Sequence, residues 1–163
     1  MPIVGTLLGA VAGGAIAYFI SAWQLKHQAQ LDEKKRQLMN FESVHKVLSS
    51  IAQQASALST HGIMHLTHGV KMSAPQEKFP LDEAKMLVDF YAPSLRPDLD
   101  IMEQQWLILF RAIAEMMLAE KKTDAKIADL IVTLGVSAAE VSKASKAAKT
   151  KLNVLAKRYT VVV

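Results

Sequence analysis

The residues of this 163-residue chain that come nearest to a site for chemistry are three histidines, His61, His65 and His68. Four and three positions separate them, so on a continuous helix they fall within about 60° of one another, opposite Leu66 and Val70. Such spacing places imidazoles on one metal ion in helical metal sites. Two features weigh against a metal here: Gly62 and Gly69 interrupt the stretch, and no acidic residue lies among the three histidines to complete a hydrolytic site. The expectation is a polar strip, exposed or facing an interface, with no bound metal. In a ring of subunits such a strip would line a lumen, where histidine charge varies with pH.

The second group is cationic. Lys143, Lys146, Lys149, Lys151, Lys157 and Arg158 stand against Glu140 alone, giving residues 137–163 a charge of +5 and leaving −1 for the rest of a chain whose total is +4. Anionic lipid headgroups or RNA phosphates need little beyond placed Lys and Arg. No aromatic platform for base stacking lies among these lysines, which speaks against nucleic acid as the partner. The plain alternative is a solvated helix face. Covalent catalysis has no support: the chain has no cysteine, no Gly-x-Ser-x-Gly elbow and no phosphate-binding glycine loop, and neither Arg96 nor Arg111 is followed closely by a histidine. An enzyme and a cofactor are therefore not expected.

The elements that position these groups begin with an apolar run. From Met1 to Leu25 there is no charged side chain, and Ile3–Trp23, IVGTLLGAVAGGAIAYFISAW, has the length a helix needs to cross a bilayer. A signal peptide would carry a basic first region, and a buried core helix or an interfacial helix would show a polar face; the run has neither. The flank before it lacks Lys and Arg, whereas Lys26, Lys34, Lys35 and Arg36 follow it, which predicts an N-terminus outside and a C-terminus in the cytosol of a bacterial inner membrane. Gly5, Gly9, Gly13, Ala17 and Ser21 recur every four residues, a stripe nearly free of side chains along which neighbouring backbones can touch. It is the expected interface of a homo-oligomer within the lipid bilayer.

Neither proline nor glycine occurs between Gly14 and Gly62, so the membrane helix is expected to run on as a rod of about 70 Å over residues 15–61. Leu31, Leu38, Phe41, Val44, Leu48, Ile51, Ala55 and Leu58 mark its buried stripe, and residues 61–72 add a turn or two. A loop over 73–80, SAPQEKFP, precedes a short helix from Pro80 to Tyr91. Pro93 and Pro97 break the chain again, and Asp100 with Glu103 opens a core helix to Glu120 lined by Trp106, Leu109, Phe110, Ile113 and Met117. Thr123 or Asp124 caps a segment that ends near Gly135, and Ser137 with Glu140 starts a last helix to Tyr159 with Val141, Ala144, Ala148, Leu152 and Leu155 on its apolar side. The expected fold class is all-α, with a transmembrane helix over 1–24, a stalk and long helix over 25–72, and the rest of a cytosolic bundle of five or six helices over 73–163.

A glycine-rich first helix, GTLLGAVAGGAIAYF, followed by a charged stalk, QLKHQAQLDEKKRQL, and a helical bundle resembles the layout of bacterial single-pass proteins of defence and mobile-element loci. The membrane accessory protein of type VI-B CRISPR loci is similar in this architecture. The resemblance implies a phage-defence setting and carries no residue roles. Two classes of function follow: an oligomeric pore or membrane-perturbing effector, or an adaptor that opens no hole and tethers a cytosolic protein partner at the inner membrane, as in conjugation, secretion or division.

Overall fold

The computed structural model of the chain describes residues 3–71, 81–118 and 123–160, with side chains from Ala17 onward. It is all-helical. Among the described residues there are four α-helices, α1 (Ile3–His68), α2 (Leu81–Tyr91), α3 (Arg96–Leu118) and α4 (Asp124–Thr160), with a 3-10 turn, Pro93–Leu95, between α2 and α3. The chain divides into two compact units, Met1–Met39 and Asn40–Val163.

In the second unit, α1 and α4 lie antiparallel. Phe41 meets Tyr159 edge-on with ring centroids 5.5 Å apart, Ser145 Oγ donates 2.9 Å to the Leu48 carbonyl, and Leu134 packs on Gly62. Pairs that ascend on one helix thus descend on the other. A Cβ at Gly62 would stand 2.9 Å from Leu134 Cδ1, so a side chain here would press on Leu134. α3 packs along α4, and α2 folds back on α3 through the 3-10 turn. The core between them is Phe41, Val44, Leu48, Ile51 and Ala55 from α1, Ala84 and Val88 from α2, Leu99 to Met116 at helical spacing from α3, and Leu130 to Leu152 from α4. Burial of such side chains stabilises a fold by roughly 1.5–3 kcal/mol each before conformational entropy is subtracted.

The expected five or six helices are four because packing overrides two local signals. Gly135 does not end a helix: Leu130, Leu134, Ala138 and Val141 continue one buried stripe across it, and Ser137 is buried inside α4 rather than capping a new start. A helical glycine costs only about 1 kcal/mol, less than that stripe contributes. Pro97 likewise does not break the chain. It sits in the first turn of α3, where a missing N–H costs nothing, and Asp100 lies one turn further in, accepting from Arg96 Nε at 3.0 Å. α1 is continuous through Gly62 and stops at His68, where Gly69 takes φ +66° and donates 3.1 Å to the His65 carbonyl. This is the left-handed residue that commonly closes helices. Thr123 caps α4, accepting from Lys126 N at 3.4 Å.

Phe110 and Met117, expected in the core, are exposed. They sit one residue, about 100° of helix turn, from Leu109 and Met116, which hold the buried face. Nor does α2 cover them: its Lys85 reaches Glu103, and the flank beyond, Leu107, Phe110, Met117 and Leu118, is open. In the first unit Leu31 is exposed as well. Among the described residues no helix is long and apolar enough to cross a membrane. Most of the expected transmembrane run Ile3–Trp23, and with it Gly5, Gly9 and Gly13 of the small-residue stripe, lies outside the described side chains. So do the ends expected at Met72 and Glu120, and the terminal Val161–Val163.

Gly135 and Gly69 should respond oppositely to alanine. Gly135→Ala, with nothing within 4 Å of the added Cβ, should stabilise by about 0.5–1 kcal/mol, whereas Gly69→Ala should cost about 1 kcal/mol for its left-handed backbone. Urea unfolding followed by circular dichroism reads both.

Candidate functional site

The three histidines end up at the C-terminal turn of α1, but not as one site. His61 and His68 are exposed and His65 is half-buried. The His65 Nδ1–H donates 2.8 Å to the Val70 carbonyl. Thr67 Oγ1 donates to the Ile63 carbonyl at 2.8 Å, so the short 2.6 Å contact assigns His68 Nδ1–H as donor to Thr67 Oγ1. Two imidazoles are therefore spent on backbone and hydroxyl groups at the helix end, where orphan carbonyls need donors. Among the described residues no three His, Cys, Asp or Glu side chains are placed to hold one metal ion.

The six cations from Lys143 to Arg158 of α4 separate by whether a neighbouring helix engages them. Lys149 Nζ donates 3.1 Å to Ser49 Oγ of α1, and Lys151 Nζ donates 2.6 Å to Asp98 of α3, whose side chain is only 10% exposed. These two bind neighbouring helices instead of facing a partner. Lys143 lies 3.4 Å from Glu140. Lys146, Lys157 and Arg158 are exposed. Part of the +5 of the segment is thus engaged within the bundle, because sequence charge does not say which lysines reach a neighbouring helix.

Ion pairs also fasten α2, α3 and α4. Arg96 Nη1 donates to both Asp89 oxygens, at 2.8 and 2.7 Å, and its Nε to Asp100; hydrogen bonding to Asp89 first, and to Asp100, raises the guanidinium pKa further above its ordinary value. Lys85 holds Glu103 at 2.6 Å, and Lys126 pairs with Glu115, which raises the Lys126 pKa. On α1, Lys46 hydrogen-bonds Glu42 at 2.8 Å and holds its carboxyl below the usual glutamate value. Hydrogen bonds from Gln37 and then Arg36 do the same for Glu33. None of these pairings was read from the sequence; the i, i+4 pairs were available by spacing, while Asp98–Lys151 depends on the packing of α3 against α4.

No protein-family model matches this chain, and neither a curated protein nor a solved structure does. Nothing in the comparisons links it to the membrane accessory protein of type VI-B CRISPR loci.

In the first unit every described residue from Ala17 to Leu31 is exposed. Tyr18 and Phe19 are each 72% exposed, and Ile20, Trp23 and Leu25 are open too. At 100° per residue these five cover about 220° of the helix, and Ala17, Ser21 and Gln24 fill the remaining side. Ala17 and Ser21 of the small-residue stripe are among the exposed positions. Trp23 stacks flat on His27, ring centroids 5.5 Å apart with 2° between planes, beside Lys26 and Gln30.

Removing Lys151 strands a nearly buried carboxylate, so Lys151→Met should cost about 1–3 kcal/mol, while Lys146→Met should stay within about 0.5 kcal/mol; thermal unfolding of the two variants distinguishes them. In an NMR titration Glu42 should ionise below the ordinary glutamate value, and Lys46→Gln should restore it. The sign follows from linkage: the pair's stabilisation is present above the unfolded-state pKa and is lost as pH falls through the lowered folded-state value.

Proposed function

We propose that the chain is a single-pass membrane protein of the bacterial inner membrane, N-terminus outside and C-terminus cytosolic, that assembles with copies of itself and acts as a pore or membrane-perturbing effector. The observation that carries the membrane part is the first unit's surface. Tyr18, Phe19, Ile20, Trp23 and Leu25 are all exposed and cover about 220° of the helix, far wider than the apolar stripe of a helix that packs on a bundle, and so broad an apolar surface is stable only against something apolar. The uncharged run that precedes them extends the same character back to Ile3. Without a hydrophobic driving force between helices in lipid, close backbone approach over Gly5, Gly9, Gly13, Ala17 and Ser21 supplies the association. The resemblance in layout to membrane proteins of phage-defence loci supports that setting.

A second reading is favoured by a different observation. The open flank Leu107, Phe110, Met117 and Leu118 of α3 offers apolar surface for a cytosolic protein, as an adaptor without pore activity would need. Particle mass in mild detergent and ion flux on overexpression separate the two: a closed oligomer that depolarises cells supports the effector, and a monomer or dimer without flux supports the adaptor.

Gly9→Leu with Gly13→Leu should push neighbouring helices apart by a side-chain width, shrink the detergent-solubilised particle and abolish leakage, while Leu7→Ile and Val11→Leu, off the stripe, leave both unchanged. Wild-type mass and leakage in the double variant would remove the stripe as an interface. For orientation, a reporter fused after Val163 should be active only if it is one that works in the cytosol.

A further inference from the structure

Resting on the membrane reading, we propose that Trp23, Lys26, His27 and Gln30 form a headgroup site for an anionic phospholipid, with the phosphodiester as the group recognised. Spacings of three, four and seven put the four side chains on one face of α1, and together they line a hollow of about 230 Å³. Its two halves differ in chemistry. The Trp23 indole, held flat against the His27 ring at 5.5 Å and 66% exposed, presents an apolar plate of the kind that sits at the boundary between acyl chain and headgroup. The Lys26 ammonium, the imidazole N–H of His27 and the Gln30 amide supply donors one turn further along, and phosphate oxygens accept all three.

The charge pattern selects an anion. Lys26 is the sole Lys, Arg, Asp or Glu from Met1 to Leu31, and the first carboxylate, Asp32, lies beyond the site. Among the described residues no carboxylate pairs with Lys26, so its charge is left for a ligand, unlike Arg36, bound to Glu33 at 2.7 Å, and Lys46, bound to Glu42. An exposed tryptophan beside such a lysine is costly in water and favourable at a headgroup layer.

The test uses the full chain with Trp106→Phe, which leaves Trp23 as the only tryptophan, in phosphatidylcholine vesicles that carry a small fraction of brominated lipid, either phosphatidylglycerol or phosphatidylcholine. Brominated phosphatidylglycerol should quench Trp23 as though enriched about fivefold around it, the effect of one lysine at a membrane surface. Lys26→Gln should bring the two lipids level, and Lys35→Gln, a further exposed cation of the same helix, should leave the enrichment in place. If Trp106→Phe loses helicity, the wild-type chain serves, with the emission of its Trp23→Phe variant subtracted. Equal quenching by both lipids, or enrichment that Lys26→Gln leaves intact, overturns the site while the membrane reading stands. No quenching by either lipid overturns both. A change in Trp23 emission on adding soluble glycerophosphate without vesicles would assign a free phosphate site and overturn the lipid.

Discussion

The contact between α1 and α4 is the one on which the second unit depends. Gly62 lets Leu134 approach to within van der Waals limits at one end, Ser145 ties to the Leu48 carbonyl in the middle, and Phe41 meets Tyr159 at the other. The Ser145 bond is buried, so its removal would leave a carbonyl without its extra partner in a place where polar groups are expensive. α3 also packs along α4, and α2 packs on α3 and on the 3-10 turn that joins them. One helix, α1, therefore meets two unlike demands. Its residues from Asn40 onward must present a stripe to α4, and its residues Tyr18, Phe19, Ile20, Trp23 and Leu25 leave a broad apolar surface exposed.

Charge has a comparable double use. Lys149 and Lys151 appear in the sequence as part of a basic segment, yet they fasten α4 to α1 and α3. Lysine serves this because its long apolar stem lies along the helix surface while its head reaches a partner. The Arg96 clamp on Asp89 and Asp100 fixes the corner where α2 gives way to α3, and Lys126 with Glu115 closes the opposite corner between α3 and α4. Lys143, Lys146, Lys157 and Arg158 stay outward, available to solvent or to an anionic partner.

Helical class and most buried stripes were legible in the sequence because they rest on period alone: Phe41 to Ala55 on α1 and Val141 to Leu152 on α4 are buried at the spacings that marked them. Breaks were not legible. Gly135 and Pro97 are local signals of weak energy, and tertiary packing decides whether a helix passes through them. The rotation of α3 was misjudged at Phe110 and Met117 because apolar residues occupy two adjacent sides of that helix, and its packing against α4 and α2 determines which side is covered. Of the site residues, the histidines' shared face was legible, but their engagement with Val70 and Thr67 depends on how the helix closes at Gly69. The Trp23–His27 stack was within reach of spacing arguments, since the two stand four residues apart, while the pairing of Lys151 with Asp98 was not, since Asp98 is distant in sequence.

On the proposed membrane reading, lipid solvates the start of α1. Alkaline carbonate extraction of membranes from cells expressing the full chain tests it most directly, because high pH strips peripheral proteins and leaves spanning helices behind. The account predicts that the chain stays in the membrane pellet and that replacing Leu7, Val11 and Phe19 together with lysine, which puts three charges into the run, releases it. Recovery of the wild-type chain in the carbonate supernatant would contradict the account.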